Sequence, residues 1–574
     1  MTKKISGIIP IGYALKESLK KGYSFQTFKS DAIAGLIVSL VALPLAMALS
    51  IAVGLPPQHG LYTAIVAGFL VPLLGGSISQ VSGPTAAFVV IVAPIVTEHG
   101  LRGLIITTLM AGLLLIAAGI AKLGRYINYV PYPVTTGFTS GIAVVIGTLA
   151  LNDFLGLGIE KLQGEYVHKV ALIAQHIPIL HWPEALVGIV SLVLMFTSKR
   201  IMPKVPPPVV GIGLGTLLAY ALQHYGFDIA TIGNRFTYAL PDGSTGQGIP
   251  PFLPSFHIPG LDGSELFALP SFAELKTLMV PALVIAALGA LESLLSATVA
   301  DGMAGTKHNP NAELIGVGIG NILSGLVTGI PATGAIARTA TNIHSGGKTP
   351  FASSIHAVLI MFYVLLLAPY MSYIPMASLA ALLIAVAYRM SHWRQFIRTI
   401  QIAPHSDTIV LLACFGFTVF IDMVAGVTVG VVLACFLLMQ RIAHLTHSQV
   451  SHNATGHHRK LRHLTLPDDV MVYHINGLVF FGTVENALER IGFVRGDIKT
   501  LIIDMEDVPL IDMTGLVAMK NMILDVQGKN RAVILCGGHE ITDKILQKLP
   551  LSARDKLNVT ETIDEAVKLI TDAK

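Results

Sequence analysis

Apolar runs recur along most of the chain and then stop. They fall at roughly 32–53, 61–75, 84–97, 103–121, 133–150, 184–198, 207–223, 276–296, 313–330, 334–345, 351–370, 375–388, 407–422 and 424–440. A full membrane span needs about 20 such residues. Several of these fourteen are shorter, 84–97 and 334–345 among the shortest, and short segments suit half-helices that stop near the bilayer midplane. Beyond Arg441 the period changes. Val470 to His474, Leu478 to Phe481, Leu501 to Met505 and Ala532 to Cys536 read as strands. Glu485 to Gly492, Thr514 to Val526, Ile541 to Leu549 and Ile563 to Ala573 read as helices, which makes the tail a small α/β domain. The organisation is then an N-terminal arm over 1–30, a transmembrane domain over 31–441, a polar linker over 442–462 and the α/β domain over 463–574.

Loop charge orients the spans. With the N-terminus inside, every even-numbered segment ends at a basic loop: Lys122 and Arg125, then Lys199, Arg200 and Lys204, then Lys307, Lys348, the trio Arg389, Arg394 and Arg398, and finally Arg441. The longest odd loop, about 224–273, holds one arginine, Arg235. Both termini are therefore expected in the cytoplasm of a multi-pass membrane protein.

Two stretches too rich in Gly, Pro and Thr for regular helix follow apolar runs: Ser82 to Phe88 and Pro331 to Thr339. Pro44 and Pro84 lie 40 positions apart, as do Glu292 and Ala332, and seven segments separate equivalent points. A repeat of seven spans must sit inverted, so the pattern implies a 7+7 inverted repeat. Chance likeness among Gly-rich membrane helices is the alternative.

Composition agrees with a polytopic membrane protein: 53% of residues are hydrophobic and 13% charged, against about a quarter charged in soluble domains. A net charge of +4 gives no reason to expect nucleic acid as a partner. The cysteines, Cys414, Cys435 and Cys536, lack metal-ligand or redox spacing and read as buried small residues. His457 and His458 could hold a metal, but a solvated linker explains them. No phosphate-binding loop, nucleophile–base set or metal cluster stands out, so neither ATP-driven transport nor an enzyme is expected, and no cofactor.

The candidate chemistry sits where the helices break. A half-helix that starts at the midplane offers free N–H groups and a positive dipole end. Two such ends facing one another would hold an anion on the amides of Thr85, Ala86 and Ala87 and of Ala335, Ile336 and Ala337. Arg338 could grip a carboxylate or sulfate bidentately, or could be a structural charge on the helix ends. Glu292 is the second intramembrane charge. A carboxylate there is costly as an anion, which suits reversible protonation. Glu292 could carry a coupling proton, or bind Na+ with Ser296, one turn on, and backbone carbonyls such as that of Gly334. A plain ion pair with Arg338 is the alternative. Asp31, Glu313 and Asp422 lie at segment ends and read as caps or interface charges.

These residues resemble the SulP family of anion transporters, bacterial relatives of solute carrier family 26, over almost the whole chain. The likeness rests on Gln80-Val81-Ser82-Gly83-Pro84-Thr85, on Pro57-Gln58-His59-Gly60-Leu61-Tyr62 and on the Arg338 stretch. The tail resembles a STAS domain, with Val508 to Leu516 as its signature loop. The resemblance implies a core and a gate domain, an anion held between the third and tenth segments, and movement of the core against the gate like an elevator. It implies homodimers with STAS contacts, and cytoplasmic partners of the STAS domain. It puts the anion on Thr85, Ala86, Ala335 and Ile336, and the proton or cation on Glu292 and Ser296. There are departures. Leu45 follows Pro44 where the family commonly has Gln, and His59 replaces the usual Tyr. A sodium–bicarbonate relative has Asp at the place of Glu292, which favours protons here. In the signature loop Met513 stands at a usual Ser, which argues against phosphoregulation. Pro44 to Leu49, Asp301 to His308 and Ala335 to Arg338 look most like the C4-dicarboxylic acid transporters of the family. The expected function is proton-coupled symport of a small dianion: succinate, fumarate or aspartate first, sulfate or bicarbonate second. An uncoupled anion exchanger or channel, or a membrane scaffold acting through its STAS domain, would be a different class.

Overall fold

The computed structural model describes residues 11–572 apart from 160, 161, 163, 241–243, 262, 264, 446, 452–465, 485–487, 489–497 and 538. The chain divides into two units, Met1–Val431 and Val432–Lys574. In the first, proline marks where helices begin. Pro57, Pro207, Pro310 and Pro350 each take the first helical position, where a missing N–H costs nothing. In chain order the helices are α1 (Tyr13–Lys20), α2 (Phe25–Ala52), α3 (Pro57–Leu74), α4 (Val89–Ile120), α5 (Tyr132–Phe154), α6 (Tyr166–His176), α7 (Trp182–Ile201), α8 (Pro207–His224) and α9 (Ile232–Arg235). They continue as α10 (Phe272–Ala304), α11 (Pro310–Leu326), α12 (Ile336–His344), α13 (Pro350–Met371), α14 (Met376–Met390), α15 (Trp393–Ile402), α16 (His405–Phe420) and α17 (Met423–Leu445). Four short strands interrupt them: β1 (Ser82–Gly83), β2 (Thr237–Ala239), β3 (Thr245–Gln247) and β4 (Thr333–Gly334).

Each of the fourteen apolar segments falls on one of these helices, and the third and fourth are two halves of α4, parted at Gly100 (φ 64°, ψ −166°). Among the described residues seven helices are long and apolar enough to cross a membrane, and α6 with α7 makes an eighth across a 113° bend. The other helices that hold apolar segments are shorter or less apolar, down to the nine residues of α12.

The helices sort into two packed groups. One contains α2, α3, α4 and α10 to α13; the other contains α5, α7, α8, α14 and α16. The first is drawn together by glycine. At Gly112 of α4 and Gly318 of α11, a Cβ on either would stand 2.7 Å from the other's carbonyl oxygen, so only hydrogen lets the two backbones meet. Asp31, fully buried on α2, accepts from Lys348 N (2.7 Å) and Thr349 Oγ1 (2.5 Å) and so caps α13 rather than its own helix. Asp422 accepts from Ala425 N at 2.8 Å at the start of α17.

The second unit holds a five-stranded sheet of β5 (His447–Ser451), β6 (Val470–Asn476), β7 (Thr500–Asp504), β8 (Ala532–Cys536) and β9 (Leu557–Thr560), in that order. β5 pairs antiparallel and the rest parallel. α18 (Met513–Gly528) and α19 (His539–Lys548) cover one face with Met519, Ile523 and Ile545; α20 (Leu551–Arg554) follows, and α21 (Ile563–Asp572) covers the other face with Ile563, Ala566 and Ile570.

Three readings of the sequence change here, and two fall outside the described residues. Leu478 to Phe481 is not a strand; only Val479 forms a bridge, to Ile511, and the chain then turns. Part of the expected linker is β5, an edge strand whose pairing with β6 no local signal announced. Cys435 is exposed rather than buried. The helix expected over Glu485 to Gly492 lies outside the described residues except for Leu488, as do His457 and His458.

Candidate functional site

The two interrupted stretches meet. Ser82 pairs with Gly334 and Gly83 with Thr333 in a two-stranded antiparallel crossing of β1 and β4. From this crossing two helices depart. After β1, Thr85 stands in extended backbone before a short 3-10 turn, Ala86–Phe88, that runs into α4. After β4, Ala335 stands in extended backbone before α12. The strands thus bring two helix N-termini side by side, as the repeat required.

Arg338 projects into this crossing and is 2% exposed. Its Nη2 donates to the carbonyl of Pro84 at 2.5 Å. Its Nε and Nη1 are buried without a partner. Gly83 (φ 151°) makes room for it, since a Cβ there would lie 2.7 Å from Nη1. The Nε–H and Nη1–H bonds of a guanidinium diverge, so these are two separate open donors on a buried positive charge.

Glu292 on α10 lies across from it. Its Oε2 accepts from Thr85 Oγ1 at 2.9 Å, so the residue before the first half-helix touches the intramembrane carboxyl. The two intramembrane charges make no ion pair within bonding distance; Arg338 has Pro84 and Glu292 has Thr85.

The other candidate residues divide. Ala86 and Ala87 are buried at the turn that opens α4. Ile336 is 46% exposed and Ala337 is exposed at the start of α12. The amide of Ala335 is not available to an anion, because it donates to Val81 O at 2.9 Å and extends the strand crossing. The amide of Gly334 donates to Ser293 Oγ (2.9 Å), and Gly334 has no room for a Cβ beside the Gln80 amide. Ser296 bonds Thr339 Oγ1 at 3.2 Å, and Thr339 Oγ1 also accepts from Val81 N at 3.0 Å.

Sequence reasoning missed the residues that hold this crossing in place. Thr333 Oγ1 donates to Gly289 O (3.0 Å) and sits 2.7 Å from Ser293 Oγ, which fastens β4 to α10. Asn321 pairs with both the N–H and the carbonyl of Ala332, each at 2.8 Å. Glu313 is neither a cap nor an interface charge. It is buried, and accepts from Gly76 N (2.8 Å), Ser77 N (2.9 Å) and Gln80 Nε2 (2.8 Å), which anchors the loop before β1. In mirror fashion, His59 Nδ1 meets Thr328 O at 2.6 Å and Thr63 Oγ1 donates to Ile330 O at 2.8 Å, which anchors the loop before β4. The signal that could have exposed Glu313 was its place in an apolar run, the same signal that marked Glu292.

Comparison with known proteins agrees with this architecture. The model described as the sulfate permease family matches residues 28–414, and the STAS domain model matches 463–566. YvdB of Bacillus subtilis (strain 168), whose name assigns it provisionally to sulfate transport, is 36% identical over 534 residues, 92% of this chain and 95% of that one. The bicarbonate transporter BicA of Picosynechococcus sp. is 30% identical over 554 residues, 92% of each chain. The transmembrane domain of a cyanobacterial BicA superposes with a TM-score of 0.59 at 28% identity, over 70% of this chain and 98% of that one. The murine Slc26a9 anion transporter in its inward-facing state shares the fold, with a TM-score of 0.83 at 17% identity over 100% of this chain and 97% of that one. A broken-helix site inside a helical membrane unit, joined to a STAS domain, defines a membrane transporter and not an enzyme. The chain belongs to the sulfate permease (SulP) family of anion transporters.

Proposed function

We propose that the chain is a proton-coupled secondary transporter of small dianions, C4-dicarboxylates such as succinate, fumarate or aspartate first. The observation that carries this reading is Arg338: buried at the meeting of two helix N-termini, with Nε and Nη1 unpaired. An oxyanion accepts from these open donors of a permanent charge, and the amides of Thr85, Ala86 and Ala87 and of Ile336 and Ala337 supply the remaining positive end. Glu292 carries the proton. Its bond from Thr85 ties its state to the first half-helix, so binding of anion and proton would be linked. Ser296 and Gly334 are the further residues of a cation site in the sodium-coupled variant of this reading. The group of α2 to α4 and α10 to α13 carries the site past the other group by an elevator-type stroke, in a homodimer of a bacterial inner membrane with both termini in the cytoplasm. Loop charge supports that orientation.

A second reading is favoured by the relatives. One is named for sulfate and another for bicarbonate. Both ions accept hydrogen bonds from a guanidinium, so sulfate or bicarbonate is the alternative cargo. Uptake of labelled succinate into proteoliposomes, with and without an inward proton gradient, tests the proposal in wild type and Glu292→Gln. Gradient-driven uptake that loses its proton dependence in the variant supports it. Uptake indifferent to the gradient removes the coupling, and transport of sulfate or bicarbonate without succinate replaces the cargo.

A further inference from the structure

The segment between α14 and α16 is an amphipathic helix that the transport site does not use. α15 follows α14 after two residues, with His392 in the left-handed region (φ 40°), and α16 begins after Ala403 and Pro404. A helix held so tightly between two membrane segments stays at the membrane boundary. None of its residues is buried. Trp393 (45% exposed), Ile397 (45%) and Ile400 (38%) recur at the spacing of one helical face. Phe396 turns inward and packs on Phe415 of α16, with ring centroids 5.2 Å apart. Ser140 of α5 donates to Ser391 O at 2.8 Å, which fixes the entry turn.

The neighbouring stripe is basic. Arg394 and Arg398 lie one turn apart and exposed, and Arg389 stands exposed at the end of α14. Among the described residues none of the three is in an ion pair; Arg394 lies over the Trp393 ring at 5.4 Å. From Tyr388 to Ser406 the sequence has no Asp or Glu. An apolar stripe with a tryptophan beside an arginine stripe is the pattern of a helix lying in the bilayer interface. Its uncompensated positive charge selects among lipids, because basic residues at a membrane surface attract anionic headgroups.

We infer that α15 is a docking surface for anionic phospholipid headgroups, with Arg389, Arg394 and Arg398 on the phosphates and Trp393, Ile397 and Ile400 in the acyl boundary. The chain carries its own reporter, since Trp393 is one of two tryptophans. The full-length protein is reconstituted into mixed phosphatidylcholine–phosphatidylglycerol vesicles in which one lipid or the other is brominated. Quenching of Trp393 is read as the difference between wild type and Trp393→Phe, which removes the Trp182 signal. Brominated phosphatidylglycerol quenches Trp393 more strongly than its mole fraction predicts. The double variant Arg394→Gln/Arg398→Gln removes most of that preference, about a 30-fold fall in apparent affinity for the anionic lipid, while quenching by phosphatidylcholine persists. Arg394→Lys/Arg398→Lys keeps the preference, because charge and not fork geometry drives it. Equal quenching by both lipids in wild type overturns the inference. Absence of quenching by either overturns it as well, since the face is then off the membrane. Folding of each variant is verified by anion uptake in phosphatidylcholine vesicles, which stays at the wild-type level.

Discussion

The two halves of the transport unit build the same corner twice and fill it differently. In the first, α3 leads through a loop to β1 and then to α4; in the second, α11 leads through a loop to β4 and then to α12. Each loop is gripped by the helix of the opposite half. The loop before β1 presents N–H groups, and the carboxylate of Glu313 receives them. The loop before β4 presents carbonyls, and His59 and Thr63 meet them. Thr328, whose carbonyl His59 holds, is a non-glycine residue at φ 58°, so this loop is bent beyond ordinary preference and depends on its anchor. The second half alone carries an arginine, and the first half gives it a carbonyl at Pro84. The repeat thus supplies the geometry of the corner, and single side chains supply its charge. Symmetry of scaffold does not extend to chemistry.

The comparison can be broken by substitution. Glu313→Ala is expected to have the largest effect, because it leaves two backbone amides and the Gln80 side chain buried without an acceptor. At about 1–3 kcal/mol for each buried unsatisfied group, the loss is roughly 4 kcal/mol. Thermal unfolding in detergent measures it, and an unchanged midpoint would show that the loop before β1 is held otherwise. Glu313→Gln should recover part, since its oxygen still accepts from Gly76 and Ser77.

Arg338→Gln comes next. Losing charged hydrogen bonds to the anion is expected to cost about 2–3 kcal/mol, roughly 100-fold in anion KM, with folding preserved. A variant that keeps wild-type KM would remove the arginine from the anion site. His59→Ala is expected to cost about 1–2 kcal/mol, because it strands a single carbonyl where Glu313→Ala strands three donors. If unfolding shows the two variants equally unstable, the halves are braced with equal strength and the contrast drawn above is wrong. Thr85→Val is the mildest, about 1 kcal/mol. It should leave stability near wild type and change the proton-gradient dependence of uptake, which is read with the same vesicles as Glu292→Gln.

Much of this architecture is legible in the sequence because a bilayer permits few solutions. Long apolar runs have to be helices, and Gly-Pro-Thr clusters within them have to be breaks. Arg338 and Glu292 stood out as lone charges for the same reason. What the sequence hid is pairing at a distance. The amide of Ala335 reads as a free donor until Val81 is placed beside it. Ser293 and Thr333 are 40 residues apart, and Glu313 and Gln80 are 233 apart; nothing local links either pair. In the STAS unit, Leu478 to Phe481 has the composition of a strand, but the neighbouring strands leave it no partner beyond one bridge.

The glycine contact between α4 and α11 has a mechanical side. Backbone lies on backbone there, with the Ile116 and Ile322 side chains packed close beside the contact. α4 carries the first helix N-terminus away from β1, and α11 feeds the second through β4. A displacement of either is passed to the other undiminished, as across a weld. During the proposed stroke the two halves of the proposed anion site therefore keep their spacing. On the proposed reading the grip on the anion then stays constant along the path, and what changes from one side of the membrane to the other is only which water can reach it.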